Sequence, residues 1–146
     1  MEHIVAFIKD YLKYKGRANR QKYFVRWLSI LLLWLSTGLM AWFLHAFLPG
    51  DIFFPTFLII GIPFLFFLAA SGFCNTMRRC HDLNYSGFIA FGTILVPFLL
   101  DRIFPNSIVV TILSLVITLY LFFKRGTVGE NQYGPDPLQA ESVPPV

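Results

Sequence analysis

Long apolar runs separated by short polar segments dominate this chain. The runs extend from Trp27 to Phe47, from Ile52 to Phe73, from Ser86 to Leu100 and from Ser107 to Phe123. A helix needs about 20 mostly apolar residues to cross the roughly 30 Å hydrocarbon core of a bilayer. The pattern therefore predicts an all-α membrane protein with four transmembrane helices.

The third run is shorter than the others. At 1.5 Å per residue it falls short of the bilayer core before Asp101 and Arg102. We expect it to thin the bilayer locally, with Arg102 snorkelling outward and pairing with Asp101. The alternative is a re-entrant hairpin made by the third and fourth runs, which would bury both charges at a costly depth.

A shorter pattern precedes the first run. Apolar residues recur at helical spacing from Ile4 to Leu12, while charged residues such as Lys9 and Asp10 occupy the other face. This predicts an amphipathic helix that lies along the cytoplasmic leaflet and ends at Gly16. The tail after Pro135 has no apolar periodicity, so it is predicted to be disordered.

The basic residues predict the orientation. Of the 12 Lys and Arg residues, seven precede the first run, two lie between the second and third, and two follow the fourth. Because basic residues resist translocation, both termini should be cytoplasmic. The predicted parts are the cytoplasmic segment 1–26, the transmembrane bundle 27–125 with a cytoplasmic loop at 74–85, and the glycine-rich loop and tail 126–146.

Composition excludes several other classes of protein. The chain is 56% hydrophobic and 14% charged, whereas soluble domains carry about 25% charged residues. A net charge of +4 in the cytoplasmic flanks favours anionic lipid headgroups over nucleic acid. Cys74 and Cys80 lie at the cytoplasmic boundary, where thiols stay reduced, so no disulfide is expected.

One polar stripe continues the second run beyond the membrane. Its residues are spaced by three or four, which places them on one helical face: Ser71, Asn75, Arg78, Arg79 and Asp82. The spacing also makes Arg78 and Asp82 an i,i+4 pair. The alternative is that both arginines are ordinary topology anchors.

Three polar motifs should share the cytoplasmic surface: Gly-Arg-Ala-Asn-Arg at 16–20, Arg-Arg-Cys-His-Asp at 78–82, and Gly-Thr-Val-Gly-Glu-Asn-Gln-Tyr-Gly-Pro at 126–135. Together with Tyr23-Phe24 and Ser86-Gly87-Phe88, this combination resembles the bacterial domain-of-unknown-function 805 (DUF805) family of inner-membrane proteins. The resemblance implies a small multi-span membrane protein without an established activity. Cys80 stands where that family typically has leucine, and Phe88 where it has tryptophan, so the resemblance gives Cys80 no catalytic role.

The third motif has the composition of a turning loop. Gly126, Gly129 and Gly134 permit backbone angles that other residues resist, so successive N–H groups could form an anion-binding nest. Alternatively, the loop caps the fourth span and folds back under the bundle, with Tyr133 at the interface.

No catalytic dyad is predicted, because adjacent His81 and Asp82 point about 100° apart on a helix. No metal site is predicted either, because the spacing of Cys74, Cys80, His81 and His3 does not match a tetrahedral zinc site. The expected role of His81 is a hydrogen bond to a loop carbonyl. We predict a non-enzymatic protein without a cofactor that binds an anionic lipid headgroup, a small anion or a protein partner, alone or as a homo-oligomer. The candidate binding residues are Arg17, Arg20, Asn75, Arg78, Arg79, His81, Asp82, Asn131 and Tyr133.

Two other functions stay open from the sequence. One is a small oligomeric transporter or channel, although the spans contain no ionisable residue at mid-membrane depth, which ion-coupled transport usually needs. The other is a membrane enzyme acting on a lipid headgroup, which would need turnover that depends on His81.

Overall fold

The computed structural model describes residues 2–142, and its regular elements are helices. They are α1 (Glu2–Tyr11), α2 (Arg20–Phe47), α3 (Gly50–Thr56), α4 (Ile62–Asp82), α5 (Phe88–Ile103), α6 (Ile108–Phe123) and α7 (Pro137–Ser142), with a π-helical segment, Phe57–Gly61, between α3 and α4. The predicted all-helical class is confirmed.

Four helices form an antiparallel bundle. α2 packs against α4 and α6, and α5 packs against the same two helices. Two stretches, Arg20–Phe47 and Gly50–Asp82, are long and apolar enough to cross a membrane. α5 and α6 have 16 residues each, about 24 Å of helix, which is less than a roughly 30 Å bilayer core.

Proline explains the change of helix type between α3 and α4. Pro63 has no N–H, so the carbonyl of Ile59 loses the donor that a regular helix would supply. The chain widens just before it, and the N–H of Ile62 donates to the carbonyl of Phe57, five residues earlier. Gly61 fits this widened turn because a Cβ there would lie 2.6 Å from the Phe57 ring.

Buried side chains concentrate at the end of the bundle where α2 begins and α4 and α6 end. Tyr23, Cys80, Ala90 and Leu121 form an apolar cluster there. The outward faces of the bundle instead expose large apolar side chains, among them Leu39, Trp42, Phe66, Phe88 and Val109. Exposed apolar surface of this extent is typical of contact with lipid or with another chain.

The first and last helices, α1 and α7, are not part of the four-helix bundle. α1 contacts α2 through Tyr11, whose hydroxyl lies 2.9 Å from the Ser29 hydroxyl. The structure differs from the prediction after Pro135: Asp136 accepts a hydrogen bond from the N–H of Leu138 at 3.0 Å and begins the short helix α7. Residues 143–146 of the predicted tail lie outside the described part.

Candidate functional site

Asp82 lies at the centre of the buried end and contacts two arginines. Its carboxylate Oδ1 accepts from Arg17 Nε at 3.2 Å and lies 3.1 Å from Arg17 Nη2. Its Oδ2 accepts from Arg79 Nη1 at 2.5 Å. All three side chains are almost fully buried. We call this group, together with Thr127, the polar lock.

Arg17 connects the first motif to the glycine-rich loop. Its Nη1 donates to the carbonyl of Gly129 at 2.6 Å and to that of Gly134 at 3.3 Å. Its Nη2 donates to the carbonyl of Thr127 at 2.5 Å. Each of its nitrogens therefore has a protein acceptor, and the loop is held around the guanidinium.

Arg79 connects α4 to the end of α6. Its Nε donates to the carbonyl of Leu121 at 2.8 Å, and its Nη2 donates to the carbonyl of Lys124. The last carbonyls of a helix have no partner within the helix, so Arg79 supplies donors that α6 lacks. Its Nη1 also approaches the carbonyl of Ala18 at 3.5 Å.

Burial sets the electrostatics of this group. Burial raises the pKa of the Asp82 carboxyl, and the charges of Arg79 and Arg17 oppose that rise. Burial lowers the pKa of Arg79, which the Asp82 charge opposes. Burial also raises the pKa of Cys80 to about 11, which disfavours the thiolate form at neutral pH.

Gly126 allows the loop to approach the carboxylate. A Cβ at this position would lie 2.0 Å from Asp82 Oδ2, so a larger residue would displace the loop. The backbone also pairs here, because the N–H and hydroxyl of Thr127 both donate to the Asp82 carbonyl, at 2.8 and 3.0 Å. The sequence indicated a turning glycine, whereas the structure shows a close approach to Asp82.

His81 also contacts the glycine-rich loop, through Tyr133 and Asn131. The His81 ring stacks on the Tyr133 ring with centroids 4.0 Å apart, and its Nδ1 donates to the carbonyl of Gly16 at 3.1 Å. Asn131 Nδ2 donates to the His81 carbonyl at 3.0 Å. His81 thus makes the hydrogen bond to a loop carbonyl that the sequence predicts.

A cavity of about 540 Å³ lies beside the polar lock. We call it the α1–α2 cavity, and its lining includes Asp10, Asn19, Lys22, Arg26, Asn75 and Arg78. Among the side chains that the structure describes, three buried atoms lack a hydrogen-bond partner: Asn19 Nδ2, Asn75 Oδ1 and Arg78 Nε. All three residues line this one cavity.

The contacts that hold these residues leave those atoms free. Asn19 caps α2, because its Oδ1 accepts from the N–H of Lys22 at 2.8 Å. Asn75 Nδ2 donates to the carbonyl of Tyr23 at 3.1 Å. Arg78 Nη2 reaches the Arg17 carbonyl at 3.5 Å. Arg26 pairs with the Asp10 carboxylate, which ties α1 to the rim of the cavity.

The structure thus places most of the predicted site residues in or beside two regions. Arg17, Arg79 and Asp82 belong to the polar lock, and His81, Asn131 and Tyr133 contact one another beside it. Asp82 pairs with Arg79 and Arg17 rather than with Arg78. Asn75 and Arg78 line the α1–α2 cavity. Arg20 lies outside both regions and reaches the carbonyl of Phe123 at 3.5 Å.

The prediction missed Asn19 and Arg26 as lining residues. The available signal was a helix cap followed by basic residues one turn apart, Lys22 and Arg26, before the apolar run. In the described part of the chain, no group of three His, Cys, Asp or Glu side chains is placed to hold a metal ion.

Comparison with known proteins gives one family. The family model described as a protein of unknown function, DUF805, matches residues 11–135. No curated protein and no solved structure matches the chain. The matched range includes all three polar motifs, the polar lock and most of the α1–α2 cavity.

Proposed function

Since the chain belongs to this DUF805 family, we propose that it is a four-span inner-membrane protein that binds the phosphate of an anionic lipid headgroup in the α1–α2 cavity. Both termini would be cytoplasmic. On this proposal the protein binds without catalysing a reaction, and the polar lock holds the helix ends that shape the cavity.

The contacts at the buried end support this topology. The segments around Arg17, Asp82 and Thr127 touch one another, so the start of α2 and the ends of α4 and α6 lie at one end of the bundle. The basic residues that favour the cytoplasm cluster at this same end. An even number of crossings then brings the chain back to the side where it began.

The topology is tested with single cysteines in a protein in which Cys74 and Cys80 are replaced. An impermeant thiol reagent added to intact cells should label Asp51→Cys and Asn106→Cys. It should leave the exposed Asn84→Cys and Glu130→Cys unlabelled until the cells are opened. Labelling of Glu130→Cys in intact cells would contradict four spans with a cytoplasmic C-terminus.

Three buried polar atoms without a partner, all on residues that line one basic cavity, carry the binding proposal. A buried polar group without a partner costs about 1–3 kcal/mol, which a bound ligand can recover. Asn19 Nδ2 and Arg78 Nε are donors, so they require an acceptor such as a phosphate oxygen. The positive end of α2, just after Asn19, and Lys22 add to the attraction for an anion.

The lipid is identified with protein purified in neutral detergent and offered phosphatidylglycerol, phosphatidylethanolamine and phosphatidylcholine in equal amounts. Native mass spectrometry should show retention of the anionic lipid. Arg78→Gln should lower that retention about tenfold, since one charge-assisted contact is lost. Arg125→Gln is the matched control, because Arg125 is exposed and does not line the cavity.

The same spectra report the number of chains in the complex. Equal retention by native protein and Arg78→Gln would overturn the proposal. If inorganic phosphate by itself displaces the lipid completely, the site takes a free anion instead.

A further inference from the structure

A second cavity, of about 410 Å³, lies among α2, α4, α5 and α6. We call it the interhelical cavity. Its lining is mostly apolar and includes Trp27, Trp34, Leu68, Gly72, Ile94 and Ile117. A cavity of about 150 Å³ holds one benzene ring, so this one has room for roughly 16 carbon atoms, a single acyl chain.

Asn75 lines both cavities. One helical turn towards the C-terminus of α4, Arg78 lines the α1–α2 cavity, and one turn in the other direction, Gly72 lines the interhelical cavity. Along one face of α4, the surroundings therefore change from basic through a neutral amide to apolar. This order matches the order of groups in a phospholipid.

The unpaired atom of Asn75 indicates which group the ligand carries between its phosphate and its acyl chain. Asn75 is almost fully buried, and its Oδ1 has no donor among residues 2–142. A carbonyl oxygen only accepts, so a ligand with a hydroxyl donor between its phosphate and its chain would pair with it. In a diacyl phospholipid both backbone oxygens are esterified and neither can donate, whereas a monoacyl phospholipid has a free hydroxyl there.

We propose that the site binds a single-chain anionic phospholipid, a 1-acyl-glycerol 3-phosphate or a headgroup derivative of it. The phosphate lies against Arg78 and Asn19, the backbone hydroxyl donates to Asn75 Oδ1, and the chain occupies the interhelical cavity. This inference rests on the proposed function, because it assumes that the α1–α2 cavity takes the phosphate.

Gly72 offers a way to fill the cavity without touching the phosphate. A Cβ at Gly72 meets no atom within 4 Å, so Gly72→Leu places a side chain where the acyl chain would lie. Gly38 of α2 also has open space for a Cβ and lines neither cavity, so Gly38→Leu is the matched control.

The experiment follows the fluorescence of Trp34 in protein in neutral detergent with Trp27→Phe and Trp42→Phe. The probe is 1-acyl-glycerol 3-phosphate with a dibrominated chain, which quenches nearby tryptophan. We expect saturable quenching that Gly72→Leu weakens at least tenfold and Gly38→Leu leaves unchanged. A protein that keeps only Trp42, which is exposed and lies outside the cavity, should show no saturable quenching.

Two ligand comparisons with native protein need no variant. The alkyl phosphate of equal length lacks the hydroxyl and should bind about tenfold more weakly than the monoacyl lipid, because Asn75 Oδ1 stays unpaired. Diacylglycerol 3-phosphate should also bind more weakly. Equal affinity for all three would overturn the monoacyl assignment.

The outcomes separate the two proposals. In one outcome, glycerol 3-phosphate displaces the lipid in a manner that depends on Arg78, but Gly72→Leu does not change the quenching of Trp34. The acyl chain then lies outside the interhelical cavity, and only this inference fails. If no probe depends on Arg78, the proposed function fails together with it.

Discussion

The polar lock and the α1–α2 cavity lie side by side, yet the arginines of the two regions differ in how fully their guanidinium groups are hydrogen-bonded. Arg79 is fully buried, and each of its nitrogens donates to a carbonyl or to Asp82. Arg78, the preceding residue, keeps an unpaired Nε and lines the cavity. Consecutive helical residues point about 100° apart, so the neighbouring side chains of Arg78 and Arg79 lie in two different regions.

The difference shows that charge alone does not identify a binding residue. Arg17 and Arg79 have protein acceptors for their guanidinium nitrogens, which leaves little capacity for a ligand. Among the described residues, the buried side chains that keep an unpaired nitrogen or oxygen atom are those of Asn19, Asn75 and Arg78. Lock residues therefore should control stability, and cavity residues should control lipid retention.

Asp82→Asn should have the largest effect on stability. The substitution leaves two buried guanidiniums without their counter-charge, at a cost of about 3–5 kcal/mol in the free energy of unfolding. Thermal unfolding in detergent measures it, with the exposed Asp101→Asn as control. Combining Asp82→Asn with Arg79→Gln should cost less than the sum of the single changes, and strict additivity would show that the lock is not one network.

Lysine substitutions test the contrast between the two arginines directly. Arg79→Lys should lower the free energy of unfolding by about 2 kcal/mol or more, because one ammonium cannot reach the Leu121, Lys124 and Asp82 acceptors together. Arg78→Lys should stay within about 0.5 kcal/mol of the native protein and weaken lipid retention. Chemical denaturation of both variants measures the first effect, and equal destabilisation would remove the distinction.

Asp136 should give the smallest effect, confined to acid. Hydrogen bonds from the N–H groups of Leu138 and Gly129 lower the pKa of its carboxyl from 3.8. A carboxyl whose pKa is lower in the folded state than in the unfolded state stabilises the fold at pH values above its unfolded pKa. This stabilisation is lost as the pH falls through the folded pKa. Between about pH 5 and about pH 3, the melting temperature of the native protein should therefore fall more than that of Asp136→Asn. Parallel curves would mean that the carboxylate contributes nothing.

The helical class and the general position of the candidate site could be predicted from local pattern. Apolar runs predicted the bundle helices, and the charge distribution placed the three motifs on one surface, where Arg17, Asp82 and Thr127 do meet. The short helix α7 was not predicted, because it depends on one capping contact from Asp136 rather than on periodicity.

The chain itself determined its helices, because a helix is a local structure whose apolar periodicity and caps are written within a few consecutive residues. Only the tertiary structure decided which arginine is satisfied and which is not. Arg17 and Asp82 are 65 positions apart, and Asn75 donates to a carbonyl 52 positions away. Whether a buried polar atom lacks a partner depends on every group packed around it, so the distinction between Arg78 and Arg79 exists only once the chain has folded.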